Sequence, residues 1–430
     1  MLGGGSSGEH FVGALRRLDR DARLTVIDRR LFGGECSYWA CMPTKTMLRA
    51  PELVADARRS YGAVVGAKLD PEKVFEWRDL VAEKDDSSQV EWLQSMDAEP
   101  VRGDATVVEP GVIELNGERI EYDRLVIATG SSPAIPPIEG LDSVDYWTNI
   151  QATETHEAPK RLAVLGGGPV GCELAQFFQR VGSQVTIVQG DSRLLSRVDA
   201  DAAMLVDAAL REDGIKVVLD AKVTHATQNS LVLADGSEVQ FDRLLVATGR
   251  KPNIAGLEPL GLEISRRGIE VDERLRAAEN VWAIGDVTGI APFTHVGKYH
   301  ARIVAYDMAG RSVRADHRAV PATIFTDPQV AMVGDTSGGV SATWQLTAVP
   351  RLSTYQRPKE QGFIKVVADP QRKVLTGAVA VGPESGEWLQ QLTYAIRAEL
   401  PIDVLLDVIP PYPTFSEGVF YAIRELNLDL

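Results

Sequence analysis

Cysteine is scarce in this sequence, as are features that would carry a chain into a membrane or onto nucleic acid. Three cysteines in 430 residues exclude a secreted disulfide framework, so any cysteine chemistry is predicted to be catalytic or redox-sensing. No apolar run approaches the about 20 residues that span a bilayer. Basic residues are outnumbered 60 to 45, which disfavours nucleic acid as the main partner. No signal-peptide pattern opens the chain, and we expect a cytoplasmic protein.

The composition itself is typical of a globular protein with several domains. Hydrophobic residues make up 44% and charged residues 24%, which excludes wholesale disorder. The net charge of −15 is compatible with a self-repelling, soluble surface. At about 100–200 residues per domain, the length predicts about two to four domains.

Two segments of the chain repeat each other. The pattern G-x-G-x-x-G occurs at residues 3–8 and again at residues 166–171. Each copy is followed by a helix-like segment and then by a β-rich segment. A second pair repeats as well, since residues 123–130 and 242–249 both run from Asp-Arg-Leu to Ala-Thr-Gly. The repeats predict two nucleotide-binding α/β units.

The second glycine motif has the context that a dinucleotide site requires. Residues 161–165 (Arg-Leu-Ala-Val-Leu) predict a buried parallel strand that enters the glycines directly. Residues 172–178 continue as a helix, whose N-terminal N–H groups and dipole favour a pyrophosphate. The alternative is a purely structural glycine turn.

The first glycine motif lacks most of its leading strand. Only Met1 and Leu2 precede Gly3, which predicts a truncated or very short first strand. Asp28 still follows Gly8 by 20 residues, the distance at which an acidic side chain accepts from a ribose hydroxyl. We therefore predict a dinucleotide site here too.

Two cysteines, Cys36 and Cys41, lie five positions apart after a Gly-Gly turn. They could be buried apolar residues, metal ligands or a redox pair. A metal site lacks a second ligand pair nearby. A redox pair needs close sulfurs at the start of a helix, where the dipole lowers the thiol pKa. Because Lys45 adds positive charge, the residues favour the redox interpretation.

In their order along the chain, these motifs resemble the flavin-dependent pyridine nucleotide-disulfide oxidoreductases, a family that includes glutathione reductase, dihydrolipoamide dehydrogenase and mercuric reductase. The resemblance rests on Cys-x4-Cys-x-Pro-x-Lys at residues 36–45, the two glycine turns, the two Ala-Thr-Gly segments and Gly285-Asp286. It implies an α/β fold with two Rossmann-like nucleotide-binding domains, for FAD and NAD(P), plus a C-terminal α+β dimerisation domain. The implied domains are residues 1–145 (FAD-binding, first part), 146–250 (NAD(P)-binding), 251–317 (FAD-binding, second part) and 318–430 (dimerisation).

The resemblance also implies a role for each matching residue. Cys41 would be the thiol next to the flavin, and Cys36 the thiol that meets the substrate. Lys45 and Glu173 would form an ion pair beside flavin N5, and Asp286 would hold the ribityl chain. The other residues implied in binding FAD or NAD(P) are Gly3, Gly5, Gly8, Asp28, Gly34, Ala105, Thr129, Gly130, Gly166, Gly168, Gly171, Gln189, Gly249, Thr294 and His295.

By the same resemblance, a nicotinamide passes hydride to one flavin face, and the electron pair then reaches the Cys36–Cys41 disulfide. Cys36 next attacks an oxidised substrate, giving a mixed disulfide or an equivalent adduct. We expect a homodimer that acts on a small-molecule electron acceptor, with no nucleic acid, membrane or metal partner.

One position departs from the disulfide-reducing members of the family. They carry His-Pro-Thr-x-x-Glu near the C-terminus, with the His as acid-base group, whereas this chain has Tyr412 and keeps Glu417. A phenol of pKa ~10 accepts a proton poorly at neutral pH, so efficient turnover of small disulfides is in question. A tyrosine here resembles mercuric reductase, whose C-terminal cysteine pair has no counterpart in this sequence. Tyr412 could also simply pack in the interface.

Three functions therefore stay open at this point. The leading one is an FAD-dependent NAD(P)H oxidoreductase with a non-standard acceptor. A dihydrolipoamide dehydrogenase or mercuric reductase-like activity is the second, and a non-catalytic flavoprotein-like relic is the third. The coenzyme is also open, because an acid at the end of the second strand favours NADH and an arginine nearby favours NADPH. The chain has Gln189, Asp191 and Arg193 in this region.

Overall fold

The computed structural model describes residues 1–355 and 362–428. The chain divides into two compact units. The first unit contains Met1–Pro43, Arg78–Ala134 and Gly249–Asp316, and the second contains Thr44–Trp77, Ile135–Thr248 and His317–Leu430. Within the described ranges, no helix combines the length and the apolar character needed to cross a membrane.

The helices vary from single turns to five turns. They are α1 (Ser6–Arg16), α2 (Gly34–Tyr38), α3 (Cys41–Arg59), α4 (Pro71–Val81), α5 (Ser87–Ser95), α6 (Asn149–Glu154), α7 (Pro169–Arg180), α8 (Ala200–Glu212), α9 (Thr294–Met308), α10 (Pro350–Ser353), α11 (Ser385–Trp388), α12 (Gln390–Arg397), α13 (Ile402–Leu406) and α14 (Phe415–Arg424).

The strands are short in the nucleotide-binding regions and longer toward the C-terminus. They are β1 (Leu24–Asp28), β2 (Ala98–Arg102), β3 (Ala105–Glu109), β4 (Val112–Leu115), β5 (Glu118–Glu121), β6 (Leu125–Ile127), β7 (Ser131–Pro133), β8 (Arg161–Leu165), β9 (Gln184–Val188), β10 (Lys216–Val218), β11 (Val223–Ala226), β12 (Ser230–Leu233), β13 (Glu238–Gln240), β14 (Arg243–Val246), β15 (Arg250–Pro252), β16 (Arg276–Ala278), β17 (Val281–Ala283), β18 (Pro321–Ile324), β19 (Gln329–Gly334), β20 (Val340–Gln345), β21 (Phe363–Asp369) and β22 (Val374–Gly382).

The start of the chain lies inside the sheet of the first unit. Leu2 bridges in parallel to Ile27 of β1 on one side and to Ile127 of β6 on the other. Leu2 N donates to Val126 O at 2.9 Å, and Gly3 N donates to Ile27 O at 2.8 Å. The few residues before the first glycine motif thus act as the central strand, with β2 beyond β1 and β17 beyond β6.

Helix α1 covers this sheet with one apolar face. Phe11, Val12 and Leu15 are buried, a spacing that places them on the same side of an α-helix. Phe11 and Leu15 pack in one cluster with Ala301 and Val304 of α9. The first unit is therefore a Rossmann-like layer of helices on a mainly parallel sheet.

The second unit contains another parallel sheet, in the order β10-β9-β8-β14. β8 is buried after its first residue, as expected for a strand covered on both faces. Helix α7 follows β8 directly and is buried from Gly171 to Phe178. Phe177 and Phe178 pack edge to face, with ring centroids 5.0 Å apart.

A five-stranded antiparallel sheet in the order β18-β19-β22-β21-β20 completes the second unit. Along β22, Ala378 and Ala380 belong to the cluster with α12 and α14, whereas Val379 and Val381 belong to the cluster with Phe177. This alternation explains why β22 is almost continuously apolar, since both of its faces are buried. The two parallel sheets and this C-terminal α+β region confirm the predicted fold class.

Candidate active site

The first glycine loop has almost no room for side chains. Gly3 has φ +105°, and a Cβ there would overlap Ala128 O. A Cβ at Gly8 would overlap Gly3 O in the same way. Gly5 precedes α1 and makes no side-chain cap, so the first N–H groups of the helix can serve an anion.

The second glycine loop repeats this geometry. Gly166 has φ +110°, and a Cβ there would overlap Ala247 O, while one at Gly171 would overlap Gly166 O. Gly168 precedes α7 without a side-chain cap. In each unit the Ala-Thr-Gly segment supplies the carbonyl that the first glycine approaches, which explains why the two motifs recur together.

The residues predicted at the ends of β1 and β9 make the same contact in the two units. Asp28 Oδ2 accepts from Gly4 N at 2.8 Å, and Gln189 Oε1 accepts from Gly167 N at 2.7 Å. Burial raises the pKa of Asp28, although the N–H groups of Arg30 and Gly4 oppose that rise.

The segment of Ala105, which the resemblance implies in cofactor binding, is fixed to the strand that carries Asp28. Gly103 N donates to Asp28 O at 3.0 Å. Ala105 begins β3 and pairs with Leu115 of β4. The backbone around Ala105 is therefore set beside the carboxylate that would hold the ribose.

The Gly-Gly turn before the cysteines rests on the first glycine loop. Gly33 N donates to Gly4 O at 2.9 Å, and Gly33 forms a parallel bridge with Gly5. Gly34 has φ +69°, and a Cβ on it would lie 2.7 Å from Gly5 Cα. Only glycine permits this backbone approach, which brings α2 and its Cys36 to the dinucleotide loop.

Cys36 and Cys41 are present as thiols and form a hydrogen-bonded pair. Cys41 is the first residue of α3, and its Sγ lies 3.5 Å from Thr294 Oγ1. The hydrogen bond to Cys41 and burial raise the pKa of Cys36, whereas Thr294 and Lys298 oppose the rise. A thiol that donates to a second sulfur holds its proton more tightly, which accounts for the raised pKa of Cys36. A lowered thiol pKa at the helix start, where Cys41 lies, stays a prediction.

A chain of hydrogen bonds joins the cysteine segment to Asp286. The Arg250 guanidinium pairs with the Glu35 carboxylate, and Arg250 Nε donates to Ser131 Oγ at 2.7 Å. Ser131 Oγ in turn donates to Asp286 Oδ2 at 2.7 Å. Burial raises the pKa of Asp286, and Ser131 and Arg250 oppose it. The sequence patterns did not reveal this role of Glu35, Ser131 and Arg250. Their local signal is that each adjoins a predicted site residue, which is Cys36, Gly130 or Gly249.

The first Ala-Thr-Gly segment is tied to the segment that follows the second one. Thr129 Oγ1 donates to Asn253 O at 2.7 Å, and Asn253 Nδ2 donates to Thr129 O at 2.8 Å. Gly130 has φ +70° and Gly249 has φ +122°. The predicted residues Thr129, Gly130 and Gly249 therefore shape the backbone where β7 and β15 pair.

Thr294 and His295, which the resemblance implies in cofactor binding, lie at the start of a helix. α9 begins at Thr294 without a side-chain cap, and the His295 ring stacks on Phe293 with centroids 5.2 Å apart. His300, which lies fully buried on the same helix, accepts from Gly285 N through Nδ1 at 3.2 Å. His300 thus holds the Gly285-Asp286 turn against α9.

In the second unit, Lys45 and Glu173 form the predicted ion pair. Lys45 Nζ donates to Glu173 Oε2 at 2.7 Å, and the Glu173 side chain is 5% exposed. Phe325 N donates to Glu173 Oε1 at 2.8 Å, and the ammonium of Lys45 lies 4.7 Å from the centre of the Phe325 ring. Phe325, which the sequence patterns did not reveal, thus fixes both partners of the pair.

Replacing Glu173 with alanine should destabilise the protein by about 2–3 kcal/mol. The loss leaves Lys45 without its anion and Phe325 N without its acceptor, and the partial exposure of Lys45 keeps the loss below that of a fully buried pair. Denaturant unfolding of the flavin-loaded protein measures the change. Glu76→Ala removes the exposed Lys73–Glu76 pair and should lower the stability much less, because solvent screens that pair. Equal costs for both variants would contradict the prediction.

Tyr412 and Glu417, which occupy the positions of the family's His and Glu, differ in exposure. Tyr412 is 72% exposed, whereas Glu417 is buried. Glu417 Oε1 accepts from Tyr421 Oη at 2.9 Å, and this bond raises the pKa of Tyr421. Glu417 Oε2 is buried with no hydrogen-bond partner in the part of the chain that the structure describes.

These features of the first unit fit FAD. The loop at Gly3–Gly8 has the shape and free helix N–H groups for a pyrophosphate, and the Asp28 carboxylate suits a ribose hydroxyl. Asp286 is a half-buried carboxylate whose pKa is raised by burial. A hydroxyl of the ribityl chain that donates to it would offset the cost of burial.

Comparison with known proteins agrees with these features. Residues 1–309 match the family model described as pyridine nucleotide-disulphide oxidoreductase, and residues 320–423 match the dimerisation domain of that family. The chain is 36% identical to a mercuric reductase from Acidithiobacillus ferrooxidans, over 99% of this chain and 82% of the relative. It is 32% identical to a dihydrolipoyl dehydrogenase from Thermus scotoductus, over 99% and 96%.

Solved structures give the same result. The HOCl-induced flavoprotein disulfide reductase RclA from Escherichia coli superposes with a TM-score of 0.85 at 27% identity. The superposition covers 99% of this chain and 98% of that structure. The likeness therefore extends through both nucleotide-binding regions and the C-terminal region.

Proposed function

This chain belongs to the pyridine nucleotide-disulphide oxidoreductase family, and we propose that Cys36 and Cys41 are the redox pair through which it reduces a small acceptor. Members of the family bind FAD and use NAD(P)H, and the relatives are enzymes. The chain is accordingly an FAD-dependent oxidoreductase, and the non-catalytic alternative is set aside. The observation that carries the proposal is the hydrogen-bonded thiol pair, seated by Gly33 and Gly34 on the first glycine loop.

The residues that would hold FAD all lie in the first unit. Gly3, Gly5 and Gly8 would receive the pyrophosphate, Asp28 a ribose hydroxyl and Asp286 the ribityl chain. Bound FAD supplies a carrier that takes a hydride from a nicotinamide and releases an electron pair. The N–H groups at the start of α9 would favour negative charge beside them.

The thiol pair handles electrons and protons in a defined way. Two electrons and one proton convert a Cys36–Cys41 disulfide into one thiol and one thiolate. We take Cys36 as the donor and Cys41 as the acceptor of the hydrogen bond between them, because Cys41 begins α3, where the helix dipole favours a thiolate. Cys36 must lose that proton before it can attack an acceptor sulfur, because the thiolate is the nucleophile.

The acceptor half of the reaction has no histidine base at position 412. Tyr412 is exposed, and the nearby Glu417 is bound to Tyr421, which stays protonated because its pKa is raised. We therefore propose an acceptor that needs little proton transfer, such as a metal ion, in preference to a small disulfide. Mercuric reductase-like activity is the second candidate, favoured by Tyr412. Dihydrolipoamide dehydrogenase activity is the third.

Replacing Tyr412 with histidine should raise the turnover of small disulfides by about 10- to 100-fold. The imidazole would supply the missing base. The activity should fall below about pH 6.5, where imidazole is protonated and no longer accepts a proton. Tyr412→Phe serves as the matched control and should change little. An unchanged rate with histidine would argue against this account of the acceptor.

Anaerobic titration with NADH and NADPH, followed by absorbance, tests the proposed function as a whole. Uptake of more than one electron pair per flavin would support a redox-active thiol pair. A first electron pair that stays on the flavin, with no second pair taken up, would contradict it.

The match to the dimerisation domain supports a homodimer, and we propose that residues near 410–417 complete the partner subunit's site. The cytoplasmic location and the division at residues 145, 250 and 317 remain part of the proposal.

A further inference from the structure

The residue after β9 distinguishes the second glycine loop, proposed to bind NAD(P), from the first, proposed to bind FAD. Gln189 occupies the place that Asp28 has in the first unit, since each side chain accepts from the second glycine of its loop. Gln189 is neutral, so this position alone neither repels a phosphate nor requires a free ribose hydroxyl.

A carboxylate stands directly beside Gln189. Gln189 Nε2 donates to Asp191 Oδ2 at 2.9 Å, and Asp191 is solvent-exposed. An amide nitrogen has two N–H donors, and a carboxylate has several acceptor sites. The pair can therefore donate to and accept from the two hydroxyls of a ribose, as a single acidic residue does in other dinucleotide sites.

Arg193 and Arg197 are two cations that follow Asp191 on the same segment. The guanidinium of Arg193 donates to Leu195 O at 3.0 Å and to Ser196 O at 2.6 Å. Because both acceptors belong to the loop of Arg193 itself, this side chain is folded onto its own backbone. Arg197 follows on the same segment and is exposed. A test of Asp191 must therefore also measure whether Arg197 binds a 2′-phosphate.

We propose that this nicotinamide site selects NADH over NADPH and that Asp191 is the residue that determines the selection. The Gln189–Asp191 pair would bind the 2′-hydroxyl, and the Asp191 carboxylate would repel a 2′-phosphate at the same place. The inference rests on the proposed function only in taking a nicotinamide dinucleotide as the electron donor, and it does not depend on the cysteines.

Rapid mixing of the anaerobic holoenzyme with each coenzyme measures the selectivity. The rate constant for flavin reduction at limiting coenzyme should be at least about tenfold higher with NADH. Asp191→Asn keeps the shape and removes the charge, so it should narrow this ratio at least about threefold. Arg193→Ala, the control, should leave the ratio unchanged.

Calorimetry with ADP-ribose and 2′-phospho-ADP-ribose gives a readout that involves no electron transfer. The holoenzyme should bind ADP-ribose the more tightly, and Asp191→Asn should strengthen binding of the phosphorylated probe. Equal or tighter binding of that probe to the unchanged protein would overturn the proposal. A marked loss of affinity for 2′-phospho-ADP-ribose in Arg197→Ala would also overturn the proposal. An inactive thiol pair would contradict the proposed function but would leave these binding results standing.

Discussion

Serine in place of Cys41 will abolish thiol-dependent reduction, with a loss of at least about 10³-fold in kcat for disulfide acceptors. A hydroxyl cannot close a disulfide with Cys36, so no second electron pair can be stored at this site. Cys41 begins α3 and touches Thr294 Oγ1 at 3.5 Å, and serine fits this place without enlarging it. The protein should therefore fold and retain its flavin, which separates loss of chemistry from loss of structure.

The third cysteine provides a matched control. Cys172 is fully buried in α7, and burial raises the pKa of its thiol. Since such a thiol is unreactive, Cys172→Ala should keep activity within about threefold of the unchanged enzyme. Cys36→Ser should fail with disulfides as Cys41→Ser does, although both variants could retain reduction of a quinone. Full disulfide reductase activity in Cys41→Ser would refute the assignment of the pair.

A methyl group in either glycine loop should have a second large effect, and the two loops should differ in what they lose. In Gly8→Ala the added Cβ overlaps Gly3 O, and in Gly171→Ala it overlaps Gly166 O. Neither loop can relax without moving backbone, because each overlapping atom is a carbonyl oxygen of the same turn. We expect Gly8→Ala to be purified with little flavin. Gly171→Ala should keep its flavin but be reduced by NADH about 10²-fold more slowly, because its coenzyme site is distorted.

Flavin content, far-ultraviolet circular dichroism and the rate of flavin reduction measure these outcomes together. Gly168→Ala is the control for the fold, because a Cβ at that position meets nothing within 4 Å. It should keep the stability of the unchanged protein. Loss of flavin from Gly171→Ala with retention in Gly8→Ala would reverse the assignment of the two loops and contradict the site described here.

Local patterns account for the parts of the site that the sequence could predict. The glycine loops, the cysteine pair and the Ala-Thr-Gly segments each depend on residues a few positions apart, and their chemistry follows from backbone freedom, thiol spacing and helix ends. The ion pair of Lys45 and Glu173 was reached through family resemblance, since nothing local connects residues 128 positions apart.

The sequence by itself determined that two dinucleotide loops and one close thiol pair exist, because turns and helix starts are encoded by neighbouring residues. Only the tertiary structure decided which distant residues contact the loops and the thiol segment. Arg250 reaches Glu35 across 215 positions, and Ser131 reaches Asp286 across 155. Tyr421 rather than Tyr412 binds Glu417, and Met1 to Gly3 become a central strand between β1 and β6. Such contacts depend on how strands and helices pack, and periodicity along one segment carries no information about a partner in another.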